Sequence, residues 1–185
     1  MKTAGALHLA CAAVLLSACA APSFIKGTGG VEYYGGTTGF FSPDGRLPYG
    51  SSDSAVKREV AEGGGMIIET FTQPGVSPGM PPEEHITTLT RIGRSLSYSV
   101  SEYGSELSGT VTFSGRGLDK WTYDLALEGR GYLTGTGEIK GDALVTEKKL
   151  DQPGRPMLIR DSLKKVSRES YSRQVAGMKP LPGTE

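Results

Sequence analysis

Between Met66 and about Val175 the chain switches between apolar and polar residues at every step. Leu96, Tyr98 and Val100 alternate with Ser95, Ser97, Ser99 and Ser101, and Leu107, Gly109, Val111 and Phe113 with Ser108, Thr110, Thr112 and Ser114. Trp121, Tyr123, Leu125 and Leu127 alternate with Thr122, Asp124, Ala126 and Glu128. Gly131, Leu133, Gly135, Gly137 and Ile139 do so with Tyr132, Thr134, Thr136 and Glu138. Consecutive side chains of a strand point to opposite faces, so each segment offers one apolar face and one rich in Ser and Thr. That is the pattern of antiparallel strands with one solvated side. Further strands are expected over 66–73, 85–92, 142–150, 156–163 and 165–175. The connecting turns are too short to cross between two sheets, and closing the sheet on itself removes exposed edges. The pattern therefore predicts an all-β domain: one antiparallel up-and-down β-barrel of eight to nine strands.

The stretch before Met66 reads differently. Residues 31–41 are aromatic and glycine-rich and suggest either a hairpin around Gly35-Gly36 or a partly ordered lead-in. Pro43-Asp44-Gly45 marks a turn. Residues 52–62 form the one helical candidate, capped by Ser52 or Asp53 and stopped by Gly63-Gly64-Gly65. The end, 176–185 with Pro180 and Pro182, is expected to be a disordered tail.

The first residues read as an address. Met1-Lys2-Thr3 is a positive start, and residues 4–16 are an apolar run, shorter than the ~20 residues a membrane-spanning helix needs. Leu16-Ser17-Ala18-Cys19 then resembles the lipobox of bacterial lipoproteins. The resemblance implies cleavage before Cys19, transfer of a diacylglycerol to its thiol, and anchoring of the chain in a leaflet by acyl chains. Ala20, in place of an aspartate, implies delivery to the periplasmic face of the outer membrane. The expected organisation is thus a signal peptide over 1–18, a lipidated cysteine and tether over 19–30, and the barrel domain over 31–175. Cys11 leaves with the signal peptide and Cys19 is consumed by lipid, so no thiol remains for a disulfide, a metal or a nucleophile.

Charge and motifs narrow the chemistry. Twenty basic residues balance 20 acidic ones, which argues against nucleic-acid binding through bulk charge. Gly75-Val76-Ser77-Pro78-Gly79 matches a nucleophile elbow by letter. The residue after the serine there must donate its backbone N–H to the oxyanion, and Pro78 has none. Gly135-Thr136-Gly137 is followed by strand-like sequence rather than the helix a phosphate loop requires. His85 beside Glu83 and Glu84 is short of the three or four ligands zinc takes, and reads as a solvated strand start. Glu147 and Asp161 share parity with apolar neighbours and are expected to point inward, each paired with a cation such as Arg160 or Arg168. Lys148-Lys149 reads as solvated surface.

The meander over about 64–175 resembles calycin-type barrels, the lipocalins and lipocalin-like domains of bacterial lipoproteins, with one loosely similar stretch from Ile159-Arg160-Asp161 to Tyr171-Ser172-Arg173. The Gly-x-Trp of lipocalins is absent. From the residues themselves, Tyr98, Phe113, Trp121 and Tyr123 are expected to line the barrel interior, with Gly109, Gly135 and Gly137 leaving room between them. A small apolar ligand would fit such a lumen. The rival is a structural or assembly lipoprotein that presents segment 33–41 or an open strand edge to an envelope partner. With no nucleophile–base pair, no enzyme activity, cofactor or metal is expected.

Overall fold

The computed structural model describes residues 29–75, 80–103, 107–115, 117–128 and 131–178. The leader, Cys19 and most of the tether, Ser77 of the serine motif, and the tail from residue 179 lie outside the described residues.

Ten strands form a closed antiparallel barrel in which each strand pairs with its sequence neighbours and β1 closes on β10. They are β1 (Gly30–Phe41), β2 (Pro48–Val60), β3 (Met66–Gln73), β4 (Glu83–Arg91), β5 (Ser97–Glu102), β6 (Leu107–Phe113), β7 (Lys120–Leu127), β8 (Gly131–Lys140), β9 (Ala143–Asp151) and β10 (Met157–Lys165). A helix, α1 (Arg168–Gly177), follows the last strand. The all-β up-and-down barrel expected from the alternation is therefore present, with ten strands where eight to nine were expected.

The extra strands come from the region before Met66. Segment 31–41 makes no hairpin. It is one continuous strand, paired along its length with both β2 and β10. Residues 52–60 are not helical but belong to β2, bonded to β1 and β3, and only a single 3-10 turn, Glu62–Gly64, follows. Ala, Lys, Arg and Glu give this segment a helical bias, but pairing on both edges overrides local propensity. At the other end, 165–175 is not a strand. β10 stops at Lys165, and Ser167 caps α1 by accepting the N–H of Ser170 at 3.1 Å. The half-buried Tyr171, Gln174 and Val175 and the buried Met178 fall at helical spacing. This face lies against the outside of β1 and β2, where Gln174 donates to the carbonyls of Gly36 and Ser54 at 3.3 and 3.1 Å. The helix ends at Gly177, inside the stretch expected to be a tail.

The barrel's interior holds the core, built from Tyr34, Val56, Ile67, Leu89, Tyr98, Val111, Phe113, Trp121, Leu125, Leu144 and Leu163. Its exterior exposes Ser99, Thr112, Thr122, Asp124, Thr134, Thr136 and Lys149. One end is plugged. Tyr98 donates from its hydroxyl to the carbonyl of Gly64 at 2.5 Å. Leu118, almost wholly buried, has φ of 54°, a left-handed conformation that costs a non-glycine residue about 1–3 kcal/mol. Arg58 offsets that cost by donating to the Leu118 carbonyl at 2.9 Å.

The glycines expected to open the lumen do something else. A Cβ at Gly109 or Gly135 would meet the backbone of the neighbouring strand, and one at Gly137 would fall within the Trp121 indole. They allow close approach, and at Gly137 the space is filled by the ring. Gly137→Ala is accordingly expected to cost about 1–3 kcal/mol by overpacking. The loss would be read as a lower urea midpoint at unchanged m-value, with a red-shifted emission from the chain's single tryptophan.

Candidate functional site

Above the plug the barrel keeps a cavity of about 190 Å³. Its apolar wall comes from inward positions of eight strands, β2 to β9, among them Val56, Phe71, Leu89, Val111, Trp121, Tyr123 and Leu133. Its polar lining is Glu69, His85, Thr87, Glu102, Thr146, Lys148 and Asp161.

Of the four residues expected in the lumen, all face inward, but they sit at two levels. Trp121 and Tyr123 border the cavity. Tyr98 and Phe113 lie beneath it, where their rings meet edge to face at 5.0 Å. Phe113 contacts Trp121 at 5.7 Å, and Trp121 contacts Tyr123 at 6.2 Å, again edge to face. The four thus form one aromatic stack running from the plug into the cavity. Arg58 lies over two of these rings, 5.8 Å from the Phe113 centroid and 5.3 Å from that of Trp121. Its Nε is 3.2 Å from Glu69 without being aimed as a hydrogen bond, so the contact is an ion pair held by charge.

A second polar group lies in the wall. Asp161 is buried on β10, as its parity predicts, but its partner is neither Arg160 nor Arg168. Lys148 Nζ lies 2.7 Å away, and Thr38 and Thr146 donate to the two carboxylate oxygens at 2.6 and 2.5 Å. Thr38 in turn contacts the Ser54 hydroxyl at 2.6 Å. The cluster joins β1, β2, β9 and β10. Lys148 is thus not surface. Only 19% of its side chain is exposed, and its ammonium lies 5.7 Å from the Phe71 ring centre. Its neighbour Glu147, expected inside, points outward and pairs with Arg160 at 2.9 Å, both half exposed. The parity was misassigned because Val145, which sets the apolar pattern with Ala143, is itself exposed. Leu144, Thr146, Lys148 and Leu150 form the inner face.

His85 is not simply a solvated strand start. It stands at the outer limit of the cavity with 43% of its side chain exposed. Its Nδ1 lies 3.6 Å from Glu102 and its Nε2 3.3 Å from the Gln73 amide. Among the described residues no group of three or more His, Cys, Asp or Glu is placed to hold a metal ion. Sequence reasoning missed Glu69, Glu102 and Lys148 as lumen residues. The available signal was parity: Glu69 lies between Ile67 and Phe71, Glu102 follows Tyr98 and Val100, and Lys148 lies between Leu144 and Leu150, all at spacings of two or four.

The cavity imposes its environment on the groups inside it. Burial raises the Tyr123 phenol well above its ordinary value, and the negative charges of Glu69 and Asp161 push it the same way. For Asp161 burial also opposes ionisation, but the Lys148 charge and the hydrogen bonds from Lys148, Thr146 and Thr38 outweigh it, leaving the carboxyl below its ordinary 3.8. Comparison with protein-family models, with curated proteins and with solved structures finds no match to the chain.

A depressed carboxyl in the folded state stabilises the fold at every pH above its ordinary value. That stability is lost as pH falls through the folded value. Asp161→Asn, which leaves Lys148 without its counter-charge, is expected to cost about 3–5 kcal/mol near neutral pH. Urea titrations repeated at falling pH should show the gap between variant and parent narrowing below 3.8.

Proposed function

We propose that this chain is a lipid-anchored cell-envelope protein whose barrel binds one small, largely apolar molecule in the cavity beside Trp121 and Tyr123. The observation that carries the reading is the cavity itself, about 190 Å³ and walled mainly by aromatic and aliphatic side chains. Apolar cavities of roughly 150 Å³ accept a benzene-sized guest, whereas drug-sized ligands occupy roughly 300–1,000 Å³. The volume therefore favours a single ring or a short chain over a fatty acid. The rival assembly role through segment 33–41 has less support, since both edges of that segment are taken by β2 and β10 and the closed barrel offers no free strand edge there.

The anchor rests on the Leu16-Ser17-Ala18-Cys19 resemblance, and the topology gives it a consequence. β1 enters the barrel at the plugged end, where Gly30 pairs with Val60. His85 and the cavity lie toward the other end. Ten residues, 20–29, separate Cys19 from β1, reaching at most about 35 Å when extended. A leaflet holding Cys19 would thus be joined to the barrel at its plugged end, opposite the end where His85 borders the cavity.

Because Trp121 is the chain's only tryptophan and borders the cavity, its fluorescence reports occupancy directly. Toluene is expected to change Trp121 emission saturably and to raise Tm in proportion to ln(1 + [L]/Kd). A filling variant, Leu133→Phe, should abolish both responses. Unchanged emission and Tm up to toluene saturation would overturn the binding reading. For the anchor, radiolabelled palmitate should enter the parent chain and not Cys19→Ala, and equal labelling of the two would refute lipidation.

A further inference from the structure

We infer that the ligand is an uncharged molecule whose apolar ring or short chain carries one oxygen acceptor, such as a ketone, aldehyde or ester, and that Lys148 and Tyr123 hold that oxygen. The inference rests on the binding reading above and adds the chemistry of what is bound.

Two donors border the cavity with hydrogens to spare. The Lys148 ammonium has three N–H bonds. One is directed at Asp161, 2.7 Å away, and its other close neighbour is the face of Phe71. Asp161, by contrast, already takes Lys148, Thr38 and Thr146 on its two oxygens and so holds the lysine in place. Tyr123, which also borders the cavity, brings one phenolic hydrogen. Both donors lie in one row of the barrel, since Tyr123 and Lys148 are each paired with Gly135 of β8, which puts no side chain between them. An acceptor oxygen between them would receive two hydrogen bonds, one charge-assisted, while its hydrocarbon body lies against Phe71, Leu125 and Leu133.

Charge then sorts the candidates. Lys148 is neutralised by Asp161, and Glu69 is matched by Arg58 from below. The cavity offers a ligand anion no net attraction, and the field of Glu69 and Asp161 at Tyr123 opposes one. A ligand ammonium would have to displace Lys148, Arg58 or His85 from the carboxylates they already face. A neutral acceptor costs neither. Such a site discriminates by leaving its own buried donors unsatisfied when the oxygen is missing.

The test uses the full-length chain in detergent, titrated while Trp121 emission is followed, with four ring compounds of similar size: acetophenone, ethylbenzene, benzylammonium and benzoate. Acetophenone is expected to bind at least tenfold more tightly than each of the others. Tyr123→Phe should reduce that advantage severalfold while leaving the ethylbenzene Kd unchanged. Lys148→Met should do the same, but it strands Asp161 and could unfold the barrel, so Tyr123→Phe carries the result. Equal binding of acetophenone and ethylbenzene would overturn the acceptor inference and leave the binding reading standing. Tighter binding of benzoate or benzylammonium would overturn the neutral-ligand inference in the same way. If none of the four binds, both readings fall together.

Discussion

The barrel depends on a carboxylate buried where the chain's two ends meet. β1 and β10 are separated by more than a hundred residues, and closing them costs chain entropy that local contacts do not repay. At that seam Thr38 faces Asp161 in register, and the Asp161 carboxylate takes hydrogen bonds from both sides of it. Lys148 from the next strand supplies the charge that lets it ionise under cover. A bare carboxylate there would be expelled or protonated. With its three donors in place, it draws β1, β9 and β10 to one point and fixes their register, while Ser54 extends the cluster to β2. A one-residue slip would carry Asp161 outward and put Arg160 or Ser162 in its place, a mismatch that excludes the alternative.

The same lysine connects the seam to the cavity. Its ammonium must reach inward to meet Asp161, and in doing so it places a charged donor beside Phe71 in a lumen otherwise walled by hydrocarbon. Arg58 plays the opposite part. It runs beneath the cavity, spends its charge on Glu69 and the rings of Phe113 and Trp121, and spends a donor on the Leu118 carbonyl. The lower half of the barrel is thereby filled and closed, and the upper half keeps its space. Two ion pairs in one small barrel thus have different consequences: one completes packing, and the other leaves hydrogens facing a void.

This division explains what the sequence made legible. β5 to β8 announce themselves because their inward positions are almost all apolar or glycine and their outward ones Ser and Thr, so a period of two is visible without any structure. β2 does not, because its inward residues are Ser52, Ser54, Val56, Arg58 and Val60. Three of five are polar, and two of these, Ser54 and Arg58, meet partners such as Thr38, Leu118 and Glu69 that lie far away in sequence. β9 conceals its inner face for the same reason, with Thr146 and Lys148 inside and the exposed Val145 outside imitating a core residue. Trp121 and Tyr123 could be assigned to the lumen by parity alone. That Tyr98 and Phe113 belong to the floor could not, since the level a residue occupies depends on strand stagger and on Leu118 folding back beneath the rings. The helical end was hidden by its own sparseness: a face of Tyr171, Gln174, Val175 and Met178 contains a glutamine whose role, bonding to Gly36 and Ser54 carbonyls across the wall, exists only once the barrel has closed.

The cavity's position relative to the chain's beginning limits what it can exchange with. Strand β1 starts under the plug, and the plug is dense: Leu118, Tyr98 and Arg58 are nearly without exposure. A molecule leaving a bilayer on that side would have to pass through the filled half of the barrel, breaking the Arg58 contacts on its way. Entry past His85, which is part exposed and flanked by Gln73 and Glu83, disrupts no core contact among the described residues. Under the proposed anchor at Cys19, this route opens at the end of the barrel away from the one the tether joins. That suits a ligand with enough polarity to dissolve, and a single oxygen on a small hydrocarbon body supplies that polarity where a long acyl chain does not.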